Sequence, residues 1–430
     1  MRPNAVVWLV RDTCRLVDNP SLTKATLLAR RHNALLIPLV CFEPRRWVDQ
    51  QFGLARVGLH WTRFRLESLR DLEQSLIDAE SNLWISAGEP SSVLDSISQS
   101  LSVIYVVTDY PLATEEYFEN KRLEESGYSV VHAETDDLFN ESDLPFPIKS
   151  LPDTFTKFRT SIEKKVALKP NAPLVVPMLT PLHEQPWPRP SKWLEACQIN
   201  QEKFAATGHS GGRDAGLIHW EQYLDSRALS HYKQTRNALE GVNQSSHLSP
   251  WLAHGCLSTR EIWHDVLTYE SAEGANESTY WLRFELLWRE YFRWYSRRMG
   301  SALFCAADPK RKIQVPNGGD LDWVNWTRGT TDCLIVNAGM RELAATGWLS
   351  NRMRQLVSSY FIHTLELNWR LGAAWFESML IDYDVASNWG NWAYIAGVGA
   401  DPRGGRAFDI QYQADRYDPD GSYQKRWLVK

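Results

Sequence analysis

Four stretches of the sequence set acids, amides, hydroxyls and indoles side by side where neither a plain core helix nor a surface loop requires the mixture. In "DYDVASNWGNW" (382–392), Asp382 and Asp384 stand beside Asn388, Asn391, Trp389 and Trp392. The glycine-rich tail that follows, "GNWAYIAGVGADPRGG", permits close backbone approach. In "TYWLRFELLWREYFRWY" (279–295), helical spacing puts Glu285, Trp288, Arg289 and Phe292 on one face. A carboxylate beside an indole on an aromatic helix suits a pocket for a flat polar ring; a packed helix with Glu285 paired to Arg289 would carry the same residues. "GWLSNRMRQLVSSYF" (347–361) aligns Asn351, Arg354 and Gln355, and an arginine facing a domain interior needs an anion, which Asp382 or Asp384 can supply. The fourth stretch, 229–262, places Ser245, Ser246 and Ser249 around a helix expected to start at Pro250. Hydroxyls and free amides converging there can seat a phosphate or pyrophosphate, and the same residues would serve a plain N-cap.

The elements that must position these groups fall into two halves. Short apolar runs at 5–10, 34–42, 82–88, 103–109 and 128–134 read as buried strands, and helical periods fill 20–31, 56–80, 92–100 and 114–126. Five strands joined by helices predict an α/β doubly wound parallel sheet over 1–142. No G-x-G-x-x-G or G-x-x-x-x-G-K-[ST] occurs, so neither standard phosphate loop serves it. Repeated prolines over 143–190 predict an extended connector with one short helix near 154–165. From 191 to 430 strand-like alternation does not return, which predicts an all-α domain.

Twenty tryptophans in 430 residues suggest indole work beyond packing, such as stacking or electron transfer, although a tryptophan-packed helical protein would show the same count. Net charge is −5, yet "REYFRWYSRRMG" and "PKRKIQ" cluster positive charge between Arg289 and Gln314, the pattern of a phosphate-binding face or of a solvated helix. The six cysteines are far apart, with no C-x-x-C or paired His spacing, which argues against a metal site and fits a reducing compartment. No apolar run approaches membrane-spanning length or forms a signal peptide, so the expectation is a soluble intracellular protein.

Motifs along the whole chain carry a resemblance. "VWLVRDTCRLVDNP" resembles the opening strand and R-x-x-D-N turn of the photolyase/cryptochrome family. "DLPFPIKSLPDTFTKFR", "NRMRQ", "LIDYDVASNWGNW" and "GVGADPRGGRAFDI" with "QADRYDP" resemble its DASH-type cryptochromes. The resemblance implies FAD, folded into a U, inside the helical domain. Tyr232, Ser245, Ser246, Leu248 and Ser249 would surround the pyrophosphate and its neighbourhood, with Glu285, Arg289 and Asn351 along the wall. Asp382 and Asp384 would meet the flavin or adenine edge, Arg354 would pair with Asp382, and Asn388 would face flavin N5, donating to it or accepting from it. Trp392 matches the flavin-proximal electron donor and Trp369 the next link. The outer link falls at Pro316, which cannot donate, so Trp323 or Trp326 would have to replace it. "RDTC" also departs from the family's usual Asp-Leu pair.

The resemblance further implies a substrate and an antenna. Glu285, Trp288, Asn351, Gln355 and Tyr394 match the positions that hold a flipped-out cyclobutane pyrimidine dimer, with Trp288 and Tyr394 flanking its face. Gln355 and Tyr394 stand where many double-strand enzymes have methionine and tryptophan. A less apolar pocket offsets the cost of flipping less well, which points to single-stranded DNA. In that context Arg293, Arg297 and the 310–312 run become phosphate contacts. The expected activity is blue-light-driven dimer repair by a monomer, with Glu285 sharing a proton with the dimer. A 5,10-methenyltetrahydrofolate antenna would sit in the sheet domain, with Glu115 as a pterin contact. The alternative is a blue-light photoreceptor without repair; the chain ends at Lys430, short of the extensions that signalling members carry. Repair of (6-4) photoproducts fits less well, because neither an iron–sulfur motif nor paired pocket histidines are present.

Overall fold

The alternation in "NAVVWL" decides the first layer. Val6 and Trp8 of strand β1 (Asn4–Leu9) point into one core, and Ala5, Val7 and Leu9 into another on the opposite face. A strand apolar on both faces must be covered on both, which is the condition for a parallel sheet with helices above and below. With β2 (Leu35–Phe42), β3 (Trp84–Ala87), β4 (Ser102–Thr108) and β5 (Val130–His132), it forms a five-stranded parallel sheet in the order β3-β2-β1-β4-β5. The four expected helices run Pro20–Arg31, Leu59–Asp78, Pro90–Ile97 and Thr114–Glu125. The first starts where Asn19 accepts from the Leu22 amide at 2.8 Å and Pro20 occupies the opening turn. A two-residue antiparallel pair, Gln50–Gln51 with Leu54–Ala55, was not legible in the sequence.

This computed structural model describes residues 2–48, 50–133, 137–165, 208–305, 321–400 and 405–428. The expected short helix is Phe155–Lys165, and from Arg213 onward the described residues hold helices and no strand. The expected boundary at 190/191, Pro316 and the 310–312 run lie outside the described residues. Among the described residues, no helix is long and apolar enough to cross a membrane, and no His/Cys/Asp/Glu group could hold a metal ion.

The two halves share one apolar core, and buried charge fixes their register. Asp18, from the turn after β1, takes the Arg260 guanidinium at 2.8 Å with both side chains nearly inaccessible. Asp137 is wholly buried and binds Arg293 and Arg297, two turns' ends of the helix Glu277–Met299 that face the sheet domain. Burial would push the Asp137 carboxyl up, yet Arg293, Arg297 and Arg289 hold it well below the usual carboxylate range. Glu290 on the same helix accepts from the Leu138 and Phe139 amides at 3.0 and 3.3 Å. The helix itself begins with Asn276 capping the Ser278 and Thr279 amides and runs 23 residues to Gly300. Arg293 and Arg297, expected on a phosphate-binding face, are therefore interior clamp residues; their i,i+4 spacing marks a shared face without saying which way it points.

Because the folded state depresses the Asp137 pKa, its contribution is complete above the ordinary carboxylate range, about 4, and fades as pH falls below it. Asp137→Ala, which strands two buried guanidinium groups, should cost about 3–5 kcal/mol in denaturant unfolding at pH 7 and flatten the acid limb of the stability profile. An unchanged acid limb would show that the clamp contributes nothing net.

Candidate functional site

A two-lobed cavity opens within the helical half. Its inner lobe, about 260 Å³, is lined by the 245–249 loop and by Leu380, Asn388, Trp392 and Ile395. Its outer lobe, about 380 Å³, is walled by Glu285, Trp288, Arg289, Phe292 and Tyr394. Tyr232, Asn351, Arg354, Gln355, Asp382 and Asp384 line both. The four stretches of unusual chemistry thus converge on one site. The helix expected to start at Pro250 runs Ser249–Ala253, only five residues, and the serine loop before it makes that end of the cavity.

Arg354 donates to Asp382 at 2.7 Å and to the Leu349 carbonyl at 2.9 Å, which locks the carboxylate against the wall. The other Asp382 oxygen, Oδ1, is buried without a protein partner, as is Gln355 Oε1. Two orphaned acceptors in one cavity call for donors on whatever fills it. Asp384 caps the helix Val385–Ala396 by accepting from the Ser387 amide at 2.7 Å, and its second oxygen meets Arg293 at 3.4 Å. Burial would raise its pKa, but Arg293 and Arg289 hold it below the usual range, so the acid is anionic. Asn388 spends its Nδ2 on the Ala373 carbonyl at 3.0 Å, which leaves the amide oxygen as an acceptor toward the cavity.

Glu285 does not pair with Arg289. Its partner is Arg236 at 2.6 Å, while Arg289 donates to Thr259 Oγ1 at 3.0 Å and to the Leu252 carbonyl at 3.3 Å. Burial raises the Glu285 pKa, with the Arg236 guanidinium pulling the other way. The result is a carboxyl that holds a proton more readily than a free one. Trp288 has one face covered by Phe155, stacked at 3.8 Å, and meets Tyr394 edge-on at 5.8 Å. These two aromatics therefore form a corner of the outer lobe, not a two-sided clamp.

A family model described as the FAD binding domain of DNA photolyase matches residues 281–430, and one described as DNA photolyase matches residues 5–178. Cryptochrome DASH of Gloeobacter violaceus is 40% identical over 98% of this chain and 85% of its own. This chain belongs to the photolyase/cryptochrome family. Cryptochrome DASH of Arabidopsis thaliana, chloroplastic/mitochondrial, is 36% identical over 98% of this chain and 75% of its own. Among solved structures, a Synechocystis cryptochrome superposes with TM-score 0.89 at 35% identity, covering 100% of this chain and 89% of its own. A class III photolyase from Agrobacterium tumefaciens does so at 0.79 and 27% identity, over 99% and 86%.

Membership brings FAD, and the photolyase/cryptochrome cavity fits it. Asp382 Oδ1, Gln355 Oε1 and the Asn388 amide oxygen are acceptors for the donor edges of flavin and adenine, and the serine loop offers hydroxyls to a pyrophosphate. His247 in that loop has a left-handed backbone (φ 50°) and stacks on Trp348 at 4.5 Å; burial lowers its pKa to about 4. It is neutral, and adds no charge for the phosphates.

The tryptophans separate as follows. Trp392 lines the inner lobe and leans its ring on the helix Trp369–Met379 at Gly372, where a Cβ would lie 2.2 Å from Trp392 Cη2. Phe361, presented by a π-helical turn at Tyr360–Thr364, meets Trp392 perpendicularly at 5.7 Å. Trp369 is fully buried and has its ring contact with Trp389 at 5.8 Å. Glu115 lies away from this cavity, in a second one of about 310 Å³ at the carboxyl ends of the strands, where Arg56 holds it and also reaches Glu377 of the helical half at 2.9 Å. Sequence reasoning missed Arg236, although it stands one helical turn beyond Tyr232, and Phe155, whose stacking on Trp288 has no local signature.

Arg354→Gln should release Asp382 and weaken FAD binding to the apoprotein by about 2 kcal/mol, roughly 30-fold, in a fluorescence titration. Wild-type affinity in that variant would mean Asp382 does not face the cofactor.

Proposed function

We propose that this chain repairs cyclobutane pyrimidine dimers in single-stranded DNA under blue light. The reading rests on one observation: the outer lobe joins Glu285, a carboxyl whose proton affinity burial raises, to amides Asn351 and Gln355 and to the Trp288–Tyr394 corner, directly against the lobe that fits FAD. Bound FAD in its reduced state supplies the photoexcited electron that splits the dimer and takes it back afterward. The protein's part is positional and protic. Asn351 and Gln355 offer donors and acceptors to the pyrimidine edges, the aromatic corner excludes water from one side, and Glu285 shares a proton with the dimer carbonyl as charge arrives there.

Selection of single strands follows from the cost of extrusion. Flipping two linked bases from a duplex costs a few kcal/mol more than lifting them from a single strand. With one face of Trp288 already taken by Phe155, and with Gln355 in the floor, the lobe has less apolar surface to offset that cost. Phosphate-binding charge, which Arg293 and Arg297 do not supply, is available on a groove beside the Phe155 helix, lined by Lys149, Lys157, Lys164 and Lys165. A 5,10-methenyltetrahydrofolate antenna is assigned to the sheet domain with Glu115 as its contact, sharing that carboxylate with Arg56.

The test is repair of a thymine-dimer oligonucleotide by chemically pre-reduced protein, with single strand and duplex side by side. Repair of the single strand well ahead of the duplex is expected. No repair of either, with FAD present in the spectrum, would replace this reading with a photoreceptor. Glu285→Gln should bind FAD normally and lower the repair yield about 100-fold, the scale of a lost general acid; full repair by that variant would remove Glu285 from the mechanism.

A further inference from the structure

The indole that lines the inner lobe has as its neighbour Trp326, which the sequence offered only as a stand-in for the outermost link and not as a direct partner of Trp392. Trp392 meets Trp326 at 6.3 Å and 79°. Trp326 is fully buried and lies 6.1 Å from Trp323, which in turn meets Trp375 at 5.9 Å. Trp323 is 9% exposed and Trp375 is half-buried. Four indoles at successive one-ring spacings thus run from the cavity wall to the protein surface. The other branch runs from Trp369 to Trp389, whose indole N–H is tied to Glu377 at 3.1 Å and Tyr383 at 3.3 Å; Trp369, Trp389 and Glu377 are buried, and the branch reaches the partly exposed Tyr383 through a phenol rather than through a further indole.

We propose that Trp392, Trp326, Trp323 and Trp375 form the electron-supply route to the flavin site, in place of a route through Trp369. The proposal rests on the reading that the inner lobe holds FAD. Trp392 gives one electron to the photoexcited ring and is left as a cation radical. Trp326 refills Trp392, Trp323 refills Trp326, and Trp375 refills Trp323, so the positive hole moves outward as the electron moves inward. At Trp375 a small thiol in solution gives up one electron and one proton, becoming a thiyl radical that pairs to a disulfide. The Trp326 N–H donates to the Val357 carbonyl at 3.1 Å. An amide carbonyl is too weak a base to take the proton of an indole cation radical, so the hole is not trapped midway and passes on.

The core-packing alternative, in which these rings only fill space, makes the opposite forecast for spectroscopy. The experiment uses the full chain with oxidised FAD bound, a laser flash, and Trp326→Phe, Trp323→Phe, Trp375→Phe and Trp369→Phe variants whose circular dichroism matches the parent. The readouts are the tryptophan-radical absorbance after the flash and the electron–electron distance of the light-induced radical pair by pulsed EPR. Trp326→Phe should lose the long-lived tryptophan radical as completely as Trp392→Phe does. Trp375→Phe and Trp323→Phe should shorten the pair distance stepwise, and Trp369→Phe should leave both readouts unchanged. Loss of the radical in Trp369→Phe with its survival in Trp326→Phe would overturn the route. Dimer repair by chemically reduced Trp326→Phe should equal the parent's, which separates a failed route from a failed repair reading. A parent chain that purifies with no flavin band and cannot be reconstituted would overturn the FAD reading and the route with it.

Discussion

The burial of Asp137 between Arg293 and Arg297 is the interaction on which the rest of the structure depends. It ties the segment after the sheet to the last two turns of the helix Glu277–Met299, whose preceding turns carry Glu285, Trp288, Arg289 and Phe292 into the cavity. Arg293 extends the tie, because it also reaches Asp384, the acid that starts the helix bearing Asn388 and Trp392. One guanidinium therefore relates the sheet domain, the outer-lobe wall and the inner-lobe wall. A buried cluster of this kind is a poor source of net stability, since desolvation cancels much of the attraction, but it penalises misregister heavily. Orientation of the walls is what it provides.

Most of the fold was legible because its signals are local. Apolar runs of strand length separated by helical periods specify a parallel five-stranded sheet, and the period of 3.6 places Glu285 with Trp288 and Asn351 with Arg354 and Gln355 on shared faces. The cavity itself was legible only as far as motif and helical face could carry it. Which arginine meets Glu285 depends on how the 232–236 segment docks on the helix, and Arg236 is the one within 2.6 Å. The fate of Arg293 and Arg297 depends on Asp137, more than 150 residues away in the chain. Ring contacts among the tryptophans are equally non-local, so the family resemblance could single out Trp392 but the sequence could not choose its neighbour.

The division of labour between the two lobes follows from their chemistry. The inner lobe presents acceptors and hydroxyls around a flat space, and its aspartates Asp382 and Asp384 are held in place by Arg354 and Arg293. The outer lobe is more aromatic, and Glu285, paired with Arg236 and reaching both lobes, has its proton affinity raised by burial. The carboxyl for an incoming base, Glu285, thus stands with Asn351, Arg354 and Gln355 at the junction of the lobes, while Asn388 lines the inner lobe alone and Trp288 and Tyr394 the outer.

Gly372 shows how such a site resists improvement. Glycine inside a helix costs about 1 kcal/mol relative to alanine, so a stabilisation campaign guided by helix propensity would choose Gly372→Ala in the helix Trp369–Met379 among its first changes. The added methyl would sit 2.2 Å from Cη2 of Trp392 and drive the indole off the wall of the inner lobe. Overpacking a core in this way costs about 1–3 kcal/mol, more than the propensity gain, so at this position stability and the geometry of the site are lost together, and helix propensity alone points the wrong way.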